Sequence, residues 1–280
     1  MNRSNVSTRF GDIAYVDVGE GPVALFVHGV FLSADLWRNV IGALGRERRC
    51  IAVDLPGHGA TAVPPTQDVT LPAIADMLAA LCDALGIEQV DLVGNDSGGA
   101  VAQVFAANHQ RRIRTLVLTN CDTHDNIPPP NFKQAVDLAA EGQLAPVVAQ
   151  MAVDHDLARS DLGLGSGYER PEELSDDVID SYLGRFRDVE AGREVERFIN
   201  SIDAPQLLAA EPALKELRAP TLVVWGTADQ FFDLSWAYWL RDTIPGVTEV
   251  VELDGAKLFF PDERADELVP LLRKHWAAHQ

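Results

Sequence analysis

The sequence predicts an α/β fold, a mostly parallel central sheet with helices on both faces, and three observations carry that expectation. Short, almost continuous apolar runs alternate with helical segments, and strands that read apolar on both sides belong to a sheet covered on both faces. One run ends in a glycine-rich turn, Gly94-Asn95-Asp96-Ser97-Gly98-Gly99, with a helical pattern close behind it. The rhythm breaks after residue 124 and resumes near residue 221, as it would if a separate piece were inserted between two strands of one sheet.

Residues 13–18 and 23–27 read as strands, and the Gly-Glu-Gly-Pro between them is a turn signal that makes the opening a hairpin. Residues 35–44 have helical spacing, and 50–55 form a short apolar strand stopped by Pro56-Gly57-His58-Gly59. A helix over 72–85 is entered through Pro72 and closed by Gly86, with Pro at the first turn and Gly past the last. A strand at 90–94, a helix at 100–108 and a strand at 113–120 continue the alternation. Residues 125–212 contain Pro128-Pro129-Pro130, charged helical stretches and a glycine-rich break near 162–168, with no convincing strand. They read as a helical cap inserted into a core made of 1–124 and 213–280. Strands at 221–226 and 247–253 and a helix at 265–275 complete that core.

At 280 residues with 47% apolar content the chain can bury one sizeable core carrying an insertion. Its formal charge of −19 repels phosphate backbones and anionic lipid, which argues against nucleic acid and membrane partners and leaves a small-molecule substrate. No apolar run reaches the length of a signal peptide or a membrane span, so a cytoplasmic location is expected by default. Oligomeric state stays open, a homo-oligomer included. The cysteines Cys50, Cys82 and Cys121 are odd in number, lack CxxC spacing and sit in or beside apolar segments, as reduced core thiols do. No metal or cofactor is called for.

The chemistry concentrates at the strand ending in G-x-D-x-G-G. A turn sharp enough to expose a nucleophile needs small residues two before and two after it, and Gly94 and Gly98 provide this for Asp96. Were Ser97 the nucleophile, Asn95 would fill the tight position, so the shifted reading is worse. The same letters occur in the GDSGG of chymotrypsin-like proteases, but those lie in antiparallel barrels. A second strand ends in His28-Gly29-Val30, presenting a backbone N–H toward the nucleophile. The amides of Val30 and Ser97 form an expected oxyanion or leaving-group cradle. His28 reads mainly as a support for its loop, and the pocket is expected to involve His28, Phe31, Trp37 and Leu258.

With HG at 28–29, DLPGHG at 54–59, the elbow at 94–99 and VVWGTAD at 223–229, the chain resembles the α/β-hydrolase superfamily over roughly 10–123 and 215–275. Asp at the elbow, with Leu36-Trp37-Arg38-Asn39 after the HG loop, is similar to haloalkane dehalogenases and epoxide hydrolases. The resemblance implies that a carboxylate attacks an alkyl carbon to give an ester, which a histidine-activated water then cleaves. It implies an orienting acid at Asp229, with Asp122 as the alternative. For epoxide opening it implies a pair of cap tyrosines, to be sought among Tyr168, Tyr182 and Tyr238.

The histidine is where the chain departs. The segment that carries it in the family reads Asp254-Gly255-Ala256-Lys257-Leu258-Phe259-Phe260-Pro261-Asp262-Glu263 here, which puts Leu258 at the histidine position. Of the remaining histidines only His124, beside Asp122, is placed to swing in. Three readings follow. The first is a hydrolase of a small, mostly apolar substrate with Asp96 as nucleophile; the second is a cofactor-free lyase, isomerase or cyclase with Asp96 as general base. The third is a non-catalytic ligand-binding protein.

Overall fold

A computed structural model of the protein describes residues 1–279. Eight strands form one sheet in the order β1-β2-β4-β3-β5-β6-β7-β8. They are β1 (Ser4–Thr8), β2 (Gly11–Val18), β3 (Val23–Val27), β4 (Arg49–Val53), β5 (Val90–Asp96), β6 (Ile113–Cys121), β7 (Thr221–Gly226) and β8 (Val247–Leu253). β1 and β2 pair antiparallel at one edge and β2 runs antiparallel to β4, whereas every pair from β4 to β8 is parallel. The central strands β3, β5, β6 and β7 are buried almost throughout, which is why they read as unbroken apolar runs.

The expected opening hairpin of 13–18 with 23–27 is corrected. β2 and β3 are not neighbours, because β4 lies between them. The Gly-Glu-Gly-Pro link turns the chain, but β3 is apolar on both faces and takes two partners, β4 and β5. The hairpin forms one strand earlier, between β1 and β2, whose exposed and polar positions suit a sheet edge.

Chain direction through the sheet decides where a ligand can enter. From β3 the chain moves to β4 on one side, then crosses back to β5 on the other side of β3. Such a reversal opens a crevice at the carboxyl ends of the two strands. Here those ends carry His28-Gly29-Val30 and Asp96.

Around the sheet pack α1 (Arg38–Leu44), α2 (Leu71–Ala84), α3 (Ser97–Asn108), α10 (Ser235–Thr243), α11 (Phe260–Glu263) and α12 (Ala265–Ala278). Between β6 and β7 the chain is helical, with α4 (Lys133–Ala140), α5 (Leu144–Met151), α6 (His155–Arg159), α7 (Asp176–Leu183), α8 (Val189–Ser201) and α9 (Ala204–Leu214). Asp154, Ser175, Asp188 and Asp203 cap α6, α7, α8 and α9 by accepting backbone N–H groups.

One buried polar cluster fastens this helical segment to the core. The Asp262 carboxylate of α11 accepts from Arg38 at 2.8 Å, Asn39 at 2.9 Å and Tyr168 at 3.1 Å, while Arg38 donates to the Tyr182 hydroxyl at 2.9 Å. Burial pushes the Asp262 carboxyl up to about 6 even though Arg38 pulls it down, so its partners hold it against a desolvation cost. Asp262→Ala leaves Arg38 without its carboxylate and the Tyr168 and Tyr182 hydroxyls with only each other and Arg38, and is expected to destabilise the protein by about 3 kcal/mol, the low end for a broken buried pair. Tyr182→Phe, which removes one hydrogen-bonding hydroxyl, should cost about 1 kcal/mol. Urea midpoints of the two variants check the order.

Candidate active site

Asp96 stands at the junction of β5 and α3 with φ 56° and ψ −136°, a backbone region that costs free energy for any residue with a side chain. The surrounding glycines are what make the turn possible. A Cβ at Gly98 would lie 2.3 Å from the His28 carbonyl oxygen, and one at Gly94 would lie 2.7 Å from that of Gly98. A Cβ at Gly29 would fall 2.0 Å from Asp96 Oδ2. The HG loop and the elbow thus touch backbone to backbone, and Asp96 projects between them. Ser97 is the first residue of α3 and not the apex of the turn.

The Val30 N–H donates to Asp96 Oδ2 at 3.0 Å, and the Ser97 N–H lies near enough to favour the charged form of this carboxylate. Of the two expected cradle amides, that of Val30 is hydrogen-bonded to the Asp96 side chain. Burial nevertheless pushes its carboxyl up to about 7; the Ser97 amide opposes this, the charge of Asp229 adds to it, and the Val30 amide opposes it. Asp122 follows Cys121, the residue that faces Asp96 across the β5–β6 ladder. Its carboxyl is raised well above the ordinary range, first by burial and then by the charge of Asp96. Beyond β7, Asp229 accepts from Asn120 Nδ2 at 2.6 Å and from the Phe231 N–H at 2.8 Å, and burial raises it to about 6. Asn120 also accepts the Gly226 N–H at 2.6 Å, pinning the ends of β6 and β7 together.

Asp96, Ser97 and Asp122 open onto a cavity of about 350 Å³. Its wall is mainly apolar, with Val30, Phe31 and Leu258 from the core and Phe132, Leu144 and Ile199 from the helical segment. No lysine, arginine or histidine among the described residues lines it.

Residues 22–263 match the family model described as alpha/beta hydrolase fold. The chain belongs to the α/β hydrolase fold family. It is an enzyme of that superfamily, similar along its length to proteins of several activities. Haloalkane dehalogenase 2 of Mycobacterium tuberculosis is 27% identical over 270 residues, covering 92% of this chain and 89% of the relative. The 2-hydroxymuconate semialdehyde hydrolase of a Pseudomonas species is 30% identical over 237 residues, covering 81% and 77%. The epoxide hydrolase CorEH superposes with a TM-score of 0.83 over 100% of this chain and 99% of its own, at 20% identity, a likeness of fold. No helix among the described residues is long and apolar enough to cross a membrane.

Within this fold the loop after β8 carries Leu258, 4% exposed, on the cavity wall. Asn95 Nδ2 donates to the Leu258 carbonyl at 3.1 Å, tying that loop to the residue before Asp96. The expectation that His124 supplies an imidazole is corrected. His124 adopts φ 57°, hydrogen-bonds Glu211 through Nδ1 and stacks on Trp239 with ring centroids 4.8 Å apart. It is absent from the cavity wall.

His28 and Trp37 are also placed differently from the pocket expectation. The His28 Nδ1–H donates to the Gly29 carbonyl at 2.7 Å and Nε2 accepts the Leu55 N–H at 3.0 Å. Burial holds it neutral, with its pKa lowered to about 4. Trp37 packs on Phe26 at 5.1 Å in the core. Both support the wall from behind. Asp229 lies off the main cavity, in a neighbouring hollow with Asn131 and Trp236, and among the described residues its side chain bonds Asn120 and the Phe231 amide rather than an imidazole. Tyr168 and Tyr182 are bound to Asp262, Tyr238 is bound to Glu252 at the surface, and none of the three lines the cavity.

Asn95 and Asn120 do positional work that the sequence reading missed. Their position one residue before Asp96 and two before Asp122 was the available signal. Only the cross-strand contacts give it meaning.

Proposed function

We propose that this enzyme is a hydrolase of a small, mostly apolar alkyl electrophile, with Asp96 as the nucleophile and residues 125–212 as a cap over the substrate. The observation that carries the reading is the pose of Asp96: it occupies the apex of a strained strand–helix turn, faces an apolar cavity, and receives the Val30 N–H. A carboxylate needs no base to become nucleophilic, unlike a serine hydroxyl. After attack, the same amides would hold the oxyanion that forms when water adds to the ester. The likeness to a haloalkane dehalogenase fits this chemistry, and an aspartate at the apex of the turn, where an acyl-serine route needs a serine, favours it.

A second reading, a cofactor-free lyase or isomerase with Asp96 as general base, draws on its elevation to about 7, close to the value best suited to proton transfer at neutral pH. Single turnover in heavy-oxygen water separates the two. The nucleophile reading expects acid quenching to trap one alkyl group on the Asp96 peptide, and the heavy oxygen to enter the Asp96 carboxylate after hydrolysis. Product formed with neither an adduct nor labelled Asp96 would favour the general base.

A further inference from the structure

Among the described residues, Asp122 is a buried acid without a side-chain partner. The other buried carboxylates are all engaged. Asp54 holds Arg3 and two backbone amides, Asp91 holds Arg48, Arg114 and Thr115, and Asp262 holds its cluster. Asp229 has Asn120 and Phe231, and Asp96 has Val30. Asp122 is 3% exposed; its backbone carbonyl accepts from Gln103 Nε2 at 2.8 Å, but its carboxyl accepts no hydrogen bond and leaves Oδ1 buried and unpaired, yet it lines the same cavity as Asp96. An unpaired buried polar group costs stability. The arrangement makes chemical sense if the missing partner is the reacting molecule.

Resting on the nucleophile reading above, we propose that Asp122 is the acid and then the base of the reaction, in place of an imidazole, and that the site takes electrophiles whose leaving atom is an oxygen needing a proton. The Val30 N–H is bonded to Asp96, while among the described residues no donor is bonded to the Asp122 carboxyl, so a single proton on the pair resides on Asp122. Among the described residues the charge that acts on it is that of Asp96; Cys121 beside it is a thiol that burial raises, and the other carboxyl on the cavity wall is Asp161. None of these is a cation that would draw the proton away.

In the first step an Asp96 oxygen forms a bond to carbon and the carbon–oxygen bond of the substrate breaks. Its electron pair stays on oxygen, which takes the proton from Asp122. Asp96 is now a neutral ester, so the charge that had helped to raise Asp122 is gone and the new carboxylate is tolerated. In the second step Asp122 takes one proton from water as the hydroxide adds to the ester carbonyl, whose oxygen becomes the anion held by the Val30 and Ser97 amides. Collapse expels the product alkoxide, which takes that proton back from Asp122. Asp96 emerges as the acid with the water's second proton, and passing it to Asp122 restores the resting pair. One residue alternates between acid and base, as in retaining glycosidases.

The test uses styrene oxide and phenethyl bromide, one needing a proton on its leaving atom and the other not, with rapid-quench intact mass. In Asp122→Asn, alkylation of Asp96 by the oxide is expected to slow by about 10²-fold or more. Alkylation by the bromide should stay within a few-fold, and the ester formed from the oxide, whose leaving oxygen is what frees Asp122 to act as base in the wild type, should persist far longer than in the wild type. Asp122→Glu should restore part of both steps. For the wild type, opening of the oxide should fall with rising pH while alkylation by the bromide does not. Equal slowing with both probes, or unchanged opening and unchanged ester hydrolysis in a folded Asp122→Asn protein, overturns the role of Asp122 and leaves Asp96 as nucleophile. Absence of any label on Asp96 in the wild type with both probes overturns the nucleophile reading, and this inference with it.

Discussion

Asp96→Asn is expected to lose turnover by about 10⁴-fold or more, the scale seen when a nucleophile is removed, and at the same time to stabilise the protein above neutral pH. The two effects share one cause. The Asp96 carboxyl titrates from 3.8 in the unfolded chain to about 7 in the folded one, and Asp229 to about 6. A raised folded pKa means that the native state binds more protons than the unfolded chain between those limits. Stability therefore falls as pH climbs from about 4 to about 7 and stays low above. Replacing the carboxylate with an amide removes this loss at Asp96 and relieves Asp122 of a neighbouring charge, while the amide oxygen still accepts the Val30 N–H. At pH 8 the gain should be roughly 2–4 kcal/mol, given about 1.4 kcal/mol per pKa unit and the interaction of the groups. It should shrink toward zero near pH 4. Urea melts of both proteins at pH 5 and pH 8 measure it; parallel pH dependences in the two would show that Asp96 is not held at a cost.

The division between what the sequence disclosed and what it concealed follows range. The elbow was legible because its demands are local: a strand, a glycine two residues either side of Asp96, and a helix at once. Leu258 was legible because the acidic start of α11 fixed its offset. The partners of β3 were not, because Gly-Glu-Gly-Pro describes a turn and not which strand the chain next meets. His124 was misjudged for a similar reason. Its nearness to Asp122 in sequence suggested the site, while Glu211 and Trp239, far along the chain, claim the ring. That Asp122 has no partner cannot be read from any window of sequence, since it depends on every element packed around the ends of β5 and β6.

Introducing an imidazole at 258 tests whether the fold still offers a place for a histidine base. The Leu258 carbonyl is bound to Asn95, its side chain shares the cavity with Asp96, and the ionisable Asp229 is close enough to raise Asp96. Placed in the Asp122→Asn background, where the ester on Asp96 is expected to persist, Leu258→His should speed its hydrolysis by on the order of 10²–10⁴-fold, the range of general-base assistance. The assistance requires the neutral ring, so the rate should rise with pH through the imidazole titration and then level. Burial lowers that titration and the charge of Asp229 raises it, so Asp229→Asn on top should move the rise to lower pH. The steps are read by intact mass after alkylation with phenethyl bromide. A folded double variant whose ester decays no faster than that of Asp122→Asn, at any pH from 5 to 9, would mean that residue 258 does not address the ester, and that in this chain only the β6 side of Asp96 is built to handle water.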